Sequence, residues 1–266
     1  MEYSGSPLQD INAPIEELRE SFNSQTVFSI GGWDVSQYTF WMVILLLFVG
    51  IVVVLAARKA TVVPQSKFVS MVDYGYDAVR RNMGEGAIGH GYEKHLPFLA
   101  TLFFFILFSN VVGLIPGCKT ATGTLGVTWA LALCSFVYFN FYGVKAKGGW
   151  GYIKSIAPAG LPKPMVPIIW FFEFFSLVIR LLTLAVRLYG NMFAGHMILG
   201  IFAIMTQVFI LEPIIASASI ATALPAIAWF ILMFAMYVLE CLVAFLQAYV
   251  FTILSAVYIG LATGEH

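Results

Sequence analysis

The sequence predicts an all-α integral membrane protein with about five membrane helices and one amphipathic helix at the membrane interface. Of its 266 residues, 60% are hydrophobic and only 11% are charged, whereas a soluble domain is roughly half apolar and a quarter charged. The mean hydropathy is +0.88. The apolar residues also form long runs, and a helix needs about 20 such residues to cross a bilayer.

Five apolar runs account for the predicted membrane helices. The first three have the length of ordinary crossings and end at basic residues or at Pro and Gly. The last two are roughly twice as long as a perpendicular crossing requires, so we expect them to form a long, strongly tilted hairpin. The predicted spans are 39–57, 97–116, 124–144, 164–211 and 225–262.

The segment 64–82 mixes apolar and charged residues at helical spacing, which is typical of an amphipathic helix lying at the membrane surface. Its apolar members are Phe68, Met71, Val72, Tyr76 and Val79.

The first 38 residues contain acidic side chains before any long apolar run, unlike a cleavable signal. We expect 1–38 to be an extra-cytoplasmic segment and 39–266 to be a single membrane domain.

The placement of Lys and Arg predicts the orientation, because positive residues are retained on the cytoplasmic side of short connections. Ten fall on one side and two on the other. We therefore expect the N-terminus outside and the C-terminus in the cytoplasm. The ten are Arg58, Lys59, Lys67, Arg80, Arg81, Lys94, Lys145, Lys147, Lys154 and Lys163, and the two are Arg19 and Lys119.

Bulk charge and cysteine content exclude several function classes. Lys+Arg and Asp+Glu are equal at 14 each, so nothing favours nucleic acid as a partner. The cysteines Cys118, Cys134 and Cys241 lack CxxC spacing, and we assign them no metal, disulfide or nucleophile role. No nucleotide-binding loop or catalytic constellation is visible. We predict no catalytic residue, no metal site and no cofactor.

The chemically informative residues lie within the two long apolar runs. A charge at the bilayer centre costs about 3 kcal/mol on insertion scales, so such residues normally face protein or water and mark an ion path. These residues are Glu173, Arg180, Arg187, Asn191, His196, Glu240 and Gln247. At about 100° per residue, the first four of them form one stripe of their helix and His196 points to nearly the opposite side. Glu240 and Gln247 share a face of the last helix.

An antiparallel hairpin pairs these residues in a consistent register. Arg187 opposite Gln247 and His196 opposite Glu240 both place the hairpin midpoint in the segment 216–219. That segment is small and polar, which makes a turn plausible.

Three segments resemble the signatures of the F-type ATP synthase subunit a family, also called the ATPase subunit 6 family. Residues 187–196 resemble its RLxxNxxAG motif, and 246–251 resemble LQAxxF. Residues 110–116 resemble its NxxGxxP segment. The likeness extends from about residue 39 to the end. Some members have Asp where this chain has Gly113, so the resemblance does not supply an acidic relay at that entrance.

The resemblance implies a stator subunit of the membrane sector, non-catalytic by itself, that offers two offset proton half-channels to a rotor ring of c subunits. It implies that Arg187 is the gate between them and that Glu173 serves the inner half-channel. Arg180, which lies on the same stripe as Arg187, is a candidate accessory residue of the gate, and Thr183 is a further candidate accessory residue. The implied outer half-channel residues are Asn110, Asn191, His196, Glu240 and Gln247.

Further implied partners are peripheral-stalk b subunits, the lipid bilayer and, indirectly, the catalytic head. The implied location is an energy-transducing membrane, best matched by a bacterial inner membrane. Protons are the expected ion; the choice between H+ and Na+ depends on the rotor ring's own site.

Structural interpretations stand beside these functional ones. Arg180 could pair with Glu173, His196 and Glu240 could form a satisfied buried pair, and the amides could be interhelical hydrogen-bond partners.

Other functions fit the sequence less well than that of a proton-path stator subunit. A secondary transporter with an intramembrane Arg/Glu/His site is the alternative function, but the sequence has no duplication. A haem or quinone subunit would need paired axial histidines, and an anchor would not need these charges.

Overall fold

The computed structural model describes residues 26–30, 33–58, 67–115, 120–155, 164–215 and 220–264. Its first elements form an antiparallel hairpin of two short strands, with Thr26 paired to Ser36 and Ile30 to Trp33. This hairpin was not predicted, because the sequence there is too short for a periodic signal. It leads directly into the first helix. The elements are β1 (Thr26–Ile30), β2 (Trp33–Ser36) and α1 (Gln37–Arg58).

The predicted surface helix divides into two kinds of helix. Helix α2 (Lys67–Val79) is continued by a π-helix (Arg80–Ile88), so the helical segment extends past the predicted end at 82. Val69 and Val79 are buried, whereas Met71 is 77% exposed. One apolar face therefore packs inward, while Met71 is left on the outer surface.

The π-helix packs against the end of the last helix. A Cβ at Gly260 would lie 2.9 Å from the Ala87 carbonyl oxygen, so the two backbones are in close contact. Ion pairs between Arg80 and Glu85 at 3.2 Å and between Arg81 and Asp77 at 2.8 Å lie on its exposed side.

Two shorter membrane helices follow and pack as neighbours of the final hairpin. The first begins with Pro97 in its first turn, where a missing N–H costs no helical hydrogen bond. The second ends at Gly148, whose φ of +73° stops the helix. A 3-10 turn lies between them and a short helix follows. The elements are 3-10 (Tyr92–Lys94), α3 (Leu96–Gly113), 3-10 (Ala121–Gly123), α4 (Leu125–Lys147) and α5 (Gly149–Ser155).

The last two helices form the predicted hairpin. Helix α6 (Val166–Ile215) has 50 residues and α7 (Ile220–Thr263) has 44. At 1.5 Å per residue, α6 is about 75 Å long, far more than the roughly 30 Å apolar layer. Gly195 of α6 lies against Glu240 of α7, close to the expected register. The predicted turn at 216–219 lies outside the described residues.

The buried core lies where α3, α4 and the π-helix meet the hairpin. Leu99, Ile106, Leu188 and Ile259 are at most 1% exposed there. Within the described residues, four helices are long and apolar enough to span a membrane, and α1 contributes a shorter apolar helix. Only 11% of the most apolar windows of α6 and α7 is buried. Their remaining apolar surface is therefore available to lipid or to partner subunits, and the predicted fold class is confirmed.

Candidate functional site

Arg187 is exposed on the apolar surface of α6. Its neighbours Val186 and Phe193 are 47% and 38% exposed, and the ring of Phe193 stacks on Tyr189 at 5.6 Å. In the part of the chain that the structure describes, Arg187 takes part in no salt bridge. The charge therefore has no acidic partner among those residues.

Glu240 lies in the opposite situation, in the interior of the helix bundle. It is 3% exposed, and its carboxyl group lies so close to Gly195 that a Cβ at that position would overlap both carboxyl oxygens. Glycine is therefore required at 195 for the carboxyl to occupy its place. The Oε1 atom of Glu240 has no hydrogen-bond partner among the described residues.

His196 lies on the side of α6 that faces α3. A Cβ built on Gly113 would be 3.2 Å from His196 Nε2 and 2.5 Å from Thr120 Cβ. The imidazole and the threonine thus fill the space that any side chain at 113 would need. His196 follows Gly195 directly on α6, so it is adjacent in the chain to the Gly195–Glu240 contact.

Asn110 connects α3 to α7. It is fully buried, and its Nδ2 donates to the Ala244 carbonyl at 3.2 Å. Ala244 is one turn from Glu240 on α7. Asn191 lies one turn before Gly195 on α6, and its Nδ2 is buried without a hydrogen-bond partner in the described part of the chain.

The structure thus places Asn110, His196 and Glu240 near one junction of α3, α6 and α7, with Asn191 one turn before Gly195 on α6. Gln247, two turns beyond Glu240, is half-buried.

The remaining predicted residues lie on the other half of α6. Glu173 is half-buried, and the Arg180 guanidinium lies over the Tyr258 ring at 5.2 Å. No salt bridge joins Arg180 to Glu173 among the described residues, so Arg180 is held by an aromatic face of α7. Thr183 donates its hydroxyl proton to the Arg180 carbonyl at 3.1 Å.

Tyr152 of the short helix α5 lies beside this second group. Burial raises the pKa of Tyr152, and the charge of Arg180 acts in the opposite direction. Its hydroxyl donates to Asn140 Oδ1 at 2.9 Å, and its ring lies against Gly143. Tyr152 is therefore a neutral phenol packed against α4, close enough to Arg180 to sense its charge.

Sequence reasoning missed several members of these two groups. Thr120 and Thr122 belong to a connection rather than to an apolar run, so nothing marked them as buried. Tyr258 lies in a long apolar run, where nothing in the sequence distinguishes it from other aromatic residues. Gly195 is a position of the RLxxNxxAG motif, and the motif alone does not show what it contacts. No group of three His, Cys, Asp or Glu side chains in the described residues is placed to hold a metal ion.

Comparison with known proteins identifies the family. The family model of the ATP synthase A chain matches residues 38–260. ATP synthase subunit a of Nocardioides sp. is 41% identical over 217 residues, covering 79% of this chain and 76% of that protein. The Cereibacter sphaeroides protein of the same name is 34% identical over 238 residues, covering 89% and 84%.

ATP synthase subunit a 2 of Chlorobaculum tepidum is 40% identical over 250 residues, covering 89% of this chain and 66% of that protein. The family-model match includes all three motif segments, 110–116, 187–196 and 246–251. The chain therefore belongs to the ATP synthase A chain family and is a membrane-sector subunit of an F-type ATP synthase.

Proposed function

We propose that this subunit is the stator that supplies two offset proton half-paths to a rotor ring of c subunits, with Arg187 as the gate between them. The observation that carries the proposal is the exposure of Arg187 on an apolar helix surface without an acidic partner in the described chain. An unpaired charge in the apolar part of a membrane is costly. A carboxylate from another subunit is the partner that would compensate it.

Arginine suits a gate better than a relay. Its guanidinium does not lose its proton under physiological conditions, so it does not pass protons on. It does attract a carboxylate and favours that group's ionised form. A ring carboxylate that reaches Arg187 therefore gives up its proton to the inner half-path and collects another from the outer half-path.

The outer half-path consists of Asn110, Asn191, His196, Glu240 and Gln247. Its support is the cluster at the junction of α3, α6 and α7, where Glu240 Oε1 and Asn191 Nδ2 remain without protein partners in the described chain. Histidine and a carboxyl group are side chains that exchange protons readily. A proton entering from outside passes this cluster and neutralises the ring carboxylate.

The inner half-path consists of Glu173. Arg180 and Thr183 are accessory residues, and Arg180 assists the gate from the stripe that it shares with Arg187. Arg180 has Tyr258 as an internal partner, which leaves the Glu173 carboxyl available to receive protons. After nearly a full rotation through lipid, the ring carboxylate releases its proton towards Glu173 and the inside. Each elementary charge that falls through 100 mV supplies about 2.3 kcal/mol, so several per turn are needed to drive ATP formation.

The chain itself performs no ATP chemistry in this scheme, which belongs to the catalytic head. Peripheral-stalk b subunits hold the stator in place. The basic residues define the inner side, so the N-terminus and residues 1–38 are outside and the C-terminus is in the cytoplasm of a bacterial cell. Residues 39–266 form the single membrane domain. Either H+ or Na+ is compatible with this chain, because the ring's own site selects the ion.

The test is ATP-driven and passive proton movement in vesicles that contain the whole complex. Arg187→Ala removes the gate, so we expect coupled pumping to be lost and passive leakage to rise. Val186→Ala, at a neighbouring exposed position, is the matched control and should pump normally. Unchanged coupled pumping by an assembled Arg187→Ala complex would overturn the assignment and favour the transporter or anchor alternatives.

A further inference from the structure

A cluster of three hydroxyl groups and one amide lies buried beneath the connection between α3 and α4. Ser109 and Asn110 belong to α3, whereas Thr120 and Thr122 belong to the connection; all four are at most 4% exposed. Thr120 and Thr122 hydroxyls lie 2.7 Å apart, and the Thr122 backbone N–H donates to Ser109 Oγ at 3.2 Å. The cluster therefore ties the connection firmly to α3.

The hydrogen-bond chemistry of the cluster fixes the orientation of the Asn110 amide. The Ala244 carbonyl is only an acceptor, so the NH2 group of Asn110 must face it. The amide oxygen then faces Thr122, whose hydroxyl donates to it at 2.7 Å. Since a hydroxyl has one proton, Thr122 does not donate at its other two contacts, Ser109 Oγ at 3.5 Å and Thr120 Oγ1 at 2.7 Å. The Thr120 hydroxyl also donates to the Ser109 carbonyl, at 3.0 Å. Removing the Thr122 hydroxyl would leave the buried amide oxygen unpaired.

The same cluster contacts both sides of the outer half-path. Through Asn110 it holds Ala244, one turn from Glu240. Through Thr120 it occupies the space beside Gly113 and His196 Nε2. An acidic side chain at 113 would have no room there.

We propose that Thr122, assisted by Thr120, is a positioning residue of the outer half-path: by orienting the Asn110 amide it sets where the Glu240 turn of α7 stands relative to His196. The inference rests on the proposed function of that path. Thr122 does not exchange protons in this scheme. It acts through Asn110, and it does so with neutral groups where a carboxylate would not fit.

The experiment compares ATP synthesis driven by a proton gradient in vesicles, normalised to the amount of assembled complex. Thr122→Val keeps the shape and removes the hydroxyl; we expect synthesis to fall about tenfold, since small misplacements of reacting groups are costly. Thr122→Ser should restore most of the rate. Thr128→Val is the matched control, because Thr128 is equally buried and, within the described residues, its hydroxyl donates to the Thr124 and Leu125 carbonyls of its own helix end.

A double-mutant cycle separates orientation from general packing. If Thr122 acts through Asn110, Thr122→Val should add little to the loss caused by Asn110→Leu. Equal losses in Thr122→Val and Thr122→Ser, a similar loss in Thr128→Val, or additive losses in the cycle would overturn the inference. Thr122→Ala replaces the valine variant if that variant does not assemble.

Glu240→Gln distinguishes this inference from the proposed function. If Glu240→Gln stops synthesis while Thr122→Val leaves it unchanged, only the positioning role is wrong. If Glu240→Gln has no effect, the outer half-path itself is wrong and the positioning role falls with it.

Discussion

Glu240 on α7 and Arg187 on α6 belong to the same helix pair but lie in opposite environments. Glu240 is 3% exposed and its carboxyl group lies against Gly195 of α6, whereas Arg187 is exposed on an apolar surface. A buried group has to find its hydrogen bonds inside the subunit or from small mobile species. An exposed charge in lipid has to find a partner outside the chain. In the proposed function, this difference separates the residues that conduct protons from the residue that meets the rotor.

The largest expected effect comes from Gly195, which tests whether the buried position of the Glu240 carboxyl matters. In Gly195→Ala the new methyl group would occupy the place of the Glu240 carboxyl, so the carboxyl or the helix must move. We expect gradient-driven ATP synthesis to fall by about a hundredfold, the cost of a misplacement near 1 Å. Gly126→Ala is the control, because a Cβ there meets nothing within 4 Å. Native rates in Gly195→Ala would show that the enclosed carboxyl is not needed where the structure places it.

The hairpin and the polar stripe could be predicted from the sequence because both depend on local periodicity. The helical repeat of about 100° per residue places Arg187 and His196 on different sides of one helix, and the antiparallel register brings Glu240 close to its observed neighbour Gly195. The β-hairpin and the π-helix could not be predicted, since their signals are short or contain glycines with no periodic pattern. The buried hydroxyls of Thr120 and Thr122 depend on contacts between distant segments, which one sequence does not reveal.

Arg180 sharpens the comparison, because it lies on the same stripe as Arg187 but has an internal partner. A cation over an aromatic ring gains about 0.5–2 kcal/mol. Tyr258→Leu removes the ring under Arg180, and we expect ATP synthesis to slow by about fivefold, equivalent to about 1 kcal/mol. Tyr258→Phe keeps the ring and should be close to native. If the phenylalanine variant is as slow as the leucine variant, the hydroxyl rather than the ring face supports Arg180.

The smallest expected effect concerns a buried polar pair that belongs to neither region. Ser135 of α4 donates to Ser255 of α7 at 2.8 Å, and both are at most 2% exposed. Interhelical hydrogen bonds of this kind average about 0.6 kcal/mol in membranes. Ser135→Ala should therefore lower the stability of the detergent-solubilised complex slightly and leave proton transport unchanged, and Ser255→Ala should behave alike. A double variant no less stable than either single variant would confirm that the two hydroxyls serve one bond. Impaired transport with intact stability would instead mean that this pair belongs to the conducting region. In that case, a polar group that is buried and fully hydrogen-bonded could no longer be taken as structural on that ground alone.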